Sequence, residues 1–147
     1  MTKIVAIGCD HAGFDLKVKI IEMLQSINYQ IIDCGCHSNE SVDYPDMVHP
    51  VGKMVNNSEC SLGIVVCGSG NGVNMTVNKY QNVRSALCWT SEIASLARLH
   101  NDANILALPA RYLTTEQGLE IVGTFIETEF EGGRHQNRVD KINKILP

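Results

Sequence analysis

Five short β-rich runs alternate along the chain with amphipathic helical patterns, at residues 3–8, 30–33, 62–67, 84–88 and 104–108. Strand, helix and strand in succession favour a right-handed crossover and a parallel sheet covered on both faces. The expected fold is therefore α/β: a three-layer αβα sandwich on a five-stranded parallel sheet, Rossmann-like, with a C-terminal helical tail. The first helix, over residues 14–27, is expected to put Phe14, Val18, Ile21 and Leu24 on one face, with Asp15, Lys19, Glu22 and Ser26 elsewhere. Further helical patterns cover residues 45–56, 91–99 and 115–128. The least regular stretch, residues 34–44, reads as a loop near the site.

The third run carries the strongest local signal. Ile64 to Val66 is apolar, Cys67 ends it, and Gly68, Gly70 and Gly72 follow on alternate positions before a helical segment that begins near Val73. Glycines let successive backbone N–H groups turn into one concavity, and a helix start adds unpaired donors and a positive dipole end. The loop is built to hold negative charge. Cys67 and Ser69 at its edge extend that charge from a phosphate to an oxyanion made by the chemistry itself.

At 147 residues the chain is long enough for one core, and a single domain over 1–147 is expected, with residues 129–147 as its tail. A net charge of −4 and a pI near 5.7 argue against a general nucleic-acid binder, which needs a basic face. No signal-like segment opens the chain and no apolar run reaches membrane-spanning length, so the expected location is cytoplasmic, with no membrane partner. The six cysteines, at 9, 34, 36, 60, 67 and 88, show no secreted framework and read as reduced thiols.

Ligands of open parallel sheets bind beyond the carboxyl ends of the strands, where strand order reverses. Gly8-Cys9-Asp10-His11-Ala12-Gly13 follows the first run and the Cys67 loop follows the third. Asp10 reads either as a helix cap or as a functional carboxylate, and His11 either as a structural histidine or as a phosphate contact. Cys67 reads as a buried small hydrophobe or, at a strand end facing helix donors, as a base or nucleophile. Counting excludes three familiar motifs. Asp10 would repel a pyrophosphate where a dinucleotide fingerprint needs glycine, Val73-Asn74 stands where a P-loop has Gly-Lys, and Val73 replaces the arginine of a cysteine-phosphatase loop. Cys34-Gly35-Cys36-His37 lacks a second ligand pair at zinc spacing, so no metal and no cofactor is expected.

The motifs together resemble the ribose/galactose isomerase family, whose members include ribose-5-phosphate isomerase B and the galactose-6-phosphate isomerase subunits. The resemblance runs over nearly the whole chain. It rests on the first glycine turn above, Asp43-Tyr44-Pro45, Cys67 to Gly72, Asn78-Lys79, His100-Asn101-Asp102-Ala103-Asn104, and Glu131-Gly132-Gly133-Arg134-His135-Gln136-Asn137-Arg138-Val139. It implies reversible conversion of ribose 5-phosphate to ribulose 5-phosphate, in the non-oxidative pentose phosphate pathway, through a cis-enediolate and without metal. Cys67 would be the base that moves a proton between C1 and C2. Ser69 would assist it, where many relatives have threonine, and His100 with Asp10 would open the furanose ring. The amides from Gly68 through Gly70, Asn71 and Gly72 to Asn74 would hold the enediolate. His11, Arg134, Arg138 and Arg111 would bind phosphate, while Tyr44 and Asn101 contact the sugar.

One branch of the family uses a carboxylate after the loop, where this chain has Val73, so Cys67 is the expected base. The full set of Asp10, Cys67, His100 and two tail arginines favours a self-sufficient homodimer over a site divided between two different chains. Assembly of dimers into tetramers and activity on six-carbon phosphates such as allose or galactose 6-phosphate are left open. So is a non-catalytic sugar-phosphate sensor, against which the intact Cys67, Ser69 and His100 argue. On a helix Arg134 and Arg138 would project from one face, with Val139, Ile142 and Leu146 as the apolar stripe that docks it. Cys67 follows a strand while His100 precedes one, which predicts opposite sheet edges within one chain and a site shared across a twofold interface.

Overall fold

The period-2 alternation of side chains along each strand divides the core into two layers. A computed structural model of the chain describes residues 3–145. The strands are β1 (Ile4–Cys9), β2 (Gln30–Asp33), β3 (Leu62–Cys67), β4 (Ser85–Leu87) and β5 (Ile105–Pro109); all pair in parallel, in the order β2-β1-β3-β5-β4. The helices are α1 (Phe14–Ser26), α2 (Tyr44–Asn56), α3 (Asn71–Val77), α4 (Ser91–Asn101), α5 (Thr115–Glu127) and α6 (Arg134–Ile142). Ile64 and Val66 of β3, with Leu106 and Leu108 of β5, face α1, α4 and α5. Val65, Cys67, Ile105 and Ala107 face α2 and α3 on the other side. The expected three-layer sandwich is what forms. No helix among the described residues is long and apolar enough to cross a membrane.

Helix α1 corrects the expected face. Leu16, Ile20 and Leu24 are the buried positions, and Phe14, Val18 and Ile21 lie at the border. The displacement comes from Lys17, a charged residue that periodicity assigns to solvent but that is 1% exposed. Its ammonium donates to Asp33 Oδ1 and to the Cys36 carbonyl, both at 2.6 Å. A buried charge persists only when it is paired and hydrogen-bonded, and here the partners come from the end of β2 and the loop after it. Asp33 Oδ1 also accepts the Gly35 N–H at 2.9 Å, while Cys9 N–H donates to Gly35 O and Cys36 N–H to Cys9 O. Lys17 thus anchors the loop beside the end of β1.

The tail also departs in part from expectation. Val139 is buried, but Ile142 is 54% exposed and Leu146 lies outside the described residues. What seats α6 is instead His135, buried in its first turn, and the bond from Glu131 N–H to the Leu99 carbonyl of α4 at 3.1 Å.

Replacing Lys17 by Met keeps the aliphatic stem and removes the charged donor. Stability in urea should fall by about 2 kcal/mol, the scale of hydrogen bonds from a charged group, with the Asp33 share reduced because that carboxylate is partly solvated. An unchanged midpoint would mean that the loop holds its shape without the ammonium.

Candidate active site

Strand order reverses between β1 and β3, so the crevice at their carboxyl ends is where an open parallel sheet offers space to a ligand. A cavity of about 380 Å³ lies there, lined by Asp10, Tyr44, Cys67, Gly68, Ser69, Gly72, Arg111 and Tyr112. The two strand ends are tied by the bond from Asp10 N–H to Val66 O at 3.2 Å. Asp10 is indeed a cap: its Oδ1 accepts from Ala12 N–H at 2.9 Å and Gly13 N–H at 3.2 Å. Both bonds go to one oxygen, so the carboxylate still reaches the cavity. The cap and functional readings are compatible.

The glycine loop is tighter than expected. Helix α3 begins at Asn71 rather than near Val73, with Gly70 at its N-cap in the left-handed region at φ 75°. A Cβ on Gly70 would lie 2.4 Å from Leu87 Cδ1 and 3.2 Å from the Leu108 carbonyl oxygen, so only glycine fits. Asn74 N–H donates to Gly70 O at 3.1 Å, which corrects its assignment as an oxyanion donor. Asn71 N–H is held by Ser69 Oγ at 3.3 Å. The amides of Gly70, Gly72 and Val73 have no acceptor among the described residues. The Tyr44 ring packs against Gly72, where a Cβ would meet its Cζ at 2.4 Å. Arg111 N–H donates to Gly68 O at 3.0 Å, and its guanidinium lies over the same residue.

His11 is not in the lining; its Nδ1 accepts Val42 N–H at 3.3 Å and holds the loop that enters α2. Tyr112, which sequence reasoning passed over, does line the cavity and packs against Trp89 with ring centroids 5.1 Å apart and planes tilted by 37°. Its only signal was its place just after the last strand. Burial pushes the Cys9 and Cys88 thiols up to about 12, and raises those of Cys34 and Cys60, so these groups stay protonated.

His100, Asn101, Arg134 and Arg138 lie apart from all of this. With His135, Val139 and Ile142 they line a second cavity of about 320 Å³, formed where the last turn of α4 meets α6. Helix α4 ends where β5 begins, so this cavity is at the amino edge of the sheet and Cys67 at the carboxyl edge. Gly132 and Gly133, at φ 68° and 55°, turn the chain into α6. Arg134 and Arg138 share a face, the guanidinium of Arg138 donating to Arg134 O at 3.4 Å. The rings of His100 and His135 stack 4.3 Å apart, 15° from parallel. Burial first, then His100 and Arg134, lower the affinity of the His135 imidazole for a proton.

The fold and these two edges define an α/β protein with a glycine loop and a thiol at its switch point, and an arginine pair at the opposite edge. The family described as Ribose/Galactose Isomerase matches residues 5–142, and the chain belongs to that family. It is 39% identical to the ribose-5-phosphate isomerase B of Escherichia coli K12 over 97% of this chain and 96% of that one. The Clostridium thermocellum ribose-5-phosphate isomerase B structure superposes with a TM-score of 0.94, at 46% identity, covering 96% of this chain and 95% of the other. A Mycoplasma genitalium ribose-5-phosphate isomerase B, solved with bound ribulose-5-phosphate, superposes at 0.93, with 40% identity and 98% and 96% coverage.

Two alanine substitutions test the loop. At Gly70 the left-handed backbone alone costs about 1–2 kcal/mol and the contact with Leu87 adds to it. Gly123, inside α5 with open space where a Cβ would go, should gain about 0.5–1 kcal/mol on the same change. A urea midpoint unchanged or raised in Gly70→Ala would mean that Gly70 does not depend on its conformation.

Proposed function

We propose that this chain interconverts ribose 5-phosphate and ribulose 5-phosphate through a cis-enediolate. The observation that carries the reading is the Cys67 thiol sharing one cavity with the Asp10 carboxylate and the glycine loop. Cys67 takes the proton from C2 of the open-chain aldose and returns it to C1. The charge that develops on the sugar oxygens falls to the amides of Gly70, Gly72 and Val73, donors already oriented before the reaction, which makes them effective. Ser69 keeps its hydroxyl proton for the substrate while its oxygen holds Asn71 N–H. Asp10 and His100 open the furanose ring. Tyr44 and Asn101 contact the sugar; Arg134 and Arg138, with Arg111 and His11 in support, take the phosphate.

Within one chain the Cys67 and His100 cavities are separate. A homodimer that sets the Cys67 edge of one protomer against the His100 edge of its partner resolves the difficulty, and isologous pairing yields two such sites. The tail from residue 129 belongs to the same single domain and completes the phosphate site. Six free thiols suit a reducing compartment, and the cytoplasm is the expected location.

Cys67→Ala should lower kcat for ribose 5-phosphate about 10²–10⁴-fold. His100→Ala should be comparably weak, yet the two variants unfolded and refolded together should regain about a quarter of wild-type activity, because half the dimers are mixed and each holds one intact site. No recovery despite heterodimers seen by mass spectrometry would put each site within one chain. Exhaustive chelation should not lower the rate, since the amides carry the oxyanion. Loss of activity with rescue by a divalent ion would overturn that assignment.

A further inference from the structure

Glu131 and His135 are used by none of the steps above, and together with His100 they form a cluster of their own. Among the described residues these three are the one group of potential metal ligands whose donor atoms all lie within 4.8 Å of one another. Both imidazole Nε2 atoms face the same carboxylate oxygen, Glu131 Oε2, at 3.8 Å from His100 and 3.7 Å from His135. Those separations are too long for hydrogen bonds. His135 is 6% exposed, and its Nε2 is buried without any hydrogen-bond partner. A buried polar atom left so is costly and calls for a ligand.

The donors are also held in place. His100 sits in the last turn of α4, the Glu131 backbone is bonded to Leu99 beside it, and His135 N–H donates to Gly132 O in the first turn of α6. The two rings stack, and both Nε2 atoms lie on the side of Glu131 Oε2. Ligands about 2.0–2.2 Å from a tetrahedral ion are roughly 3.3 Å from each other. Closing the two imidazole–carboxylate separations of 3.7–3.8 Å to that spacing needs a few tenths of an ångström from the solvent-facing Glu131 side chain, and the two imidazoles, within 4.8 Å of each other, close by rotation of the half-exposed His100 ring.

We propose that His100, Glu131 and His135 bind a divalent transition-metal ion, zinc first, as a site that competes with catalysis. Two imidazoles and one carboxylate suit zinc and its neighbours rather than magnesium or calcium, and three protein ligands leave a fourth position open. The effect on catalysis rests on the function proposed above: an ion bound to His100 Nε2 occupies the lone pair that ring opening needs. Arg134 and Arg138 line the same cavity and repel a cation. The site is therefore reversible and weaker than a structural zinc site, and inorganic phosphate on the arginines strengthens it.

Cobalt(II) and zinc titrations of the intact protein test this, with Glu131→Gln and His135→Gln as variants and a buffer that does not chelate. The expected result is one ion per chain, a tetrahedral cobalt spectrum without a thiolate charge-transfer band, and affinity lowered about tenfold or more in each variant. Glu131 is solvent-facing, so its variant keeps the fold even if the His135 variant does not. No saturable binding, a thiolate band, or unchanged affinity in Glu131→Gln would overturn the site. Isomerase turnover measured alongside should fall with zinc occupancy in the wild type, recover on chelation, and resist zinc in Glu131→Gln. Full turnover at saturating zinc would overturn the competition. The cobalt spectrum needs no turnover, so a chain inactive on ribose 5-phosphate would fail the proposed function and leave the metal site standing.

Discussion

Strand β3 is covered by apolar side chains on both faces, and that burial decides where chemistry can happen. Ile64, Val65 and Val66 are wholly enclosed, so a polar or charged group anywhere among them would be left without a partner. The first place along the strand that admits polar groups is its carboxyl end. There the backbone bends through Gly68 and Gly70 instead of continuing, and the amides of Gly70, Gly72 and Val73 are left without an acceptor among the described residues. Cys67 is the last residue of the apolar series and the first of the site. Its side chain points to the α2 and α3 layer because the alternation of the strand directs it there.

Much of this was legible in advance because the strands and the loop obey local rules. Gln30–Asp33 and Leu62–Cys67 have the boundaries that propensity and glycine punctuation assign to them. The Asp10 edge and the Cys67 edge follow from strand ends and the parallel-sheet rule. What was not legible depends on partners distant in sequence. Lys17 looks like a surface lysine until Asp33 and the Cys36 carbonyl are brought to it, and their burial rotates the inward face of α1 toward Leu16 and Ile20. Asn74 could be separated from the other loop amides only once α3 was seen to start at Asn71, which gives its N–H to Gly70. The tail stripe failed at Ile142 because periodicity reports which residues share a face, and not which turn of that face meets the protein.

The second cavity shows a different limit. His100, Glu131 and His135 come from two helices and the connection between α5 and α6, and no spacing rule connects position 100 with 131 and 135. Glu131 and His135 do stand four apart, but Glu131 precedes the helix, so the i, i+4 relation is realised through the Gly132-Gly133 turn rather than along one helical face. The same turn sets the direction in which Arg134 and Arg138 project. A Cβ placed on either glycine would meet nothing within 4 Å among the described residues, so it is the backbone conformation at these two positions, and not lack of space, that favours glycine there.

The contact of Trp89 with Tyr112 has a further use. Trp89 is the single tryptophan of the chain and is 47% exposed. Tyr112 forms part of the wall of the Cys67 cavity. Emission from an indole half in water depends on the ring lying against it and on the solvent around it. Whatever enters the cavity and shifts Tyr112 changes that emission, so the protein carries an intrinsic optical reporter one residue removed from its thiol pocket, and occupancy there can be followed by light without attaching a dye.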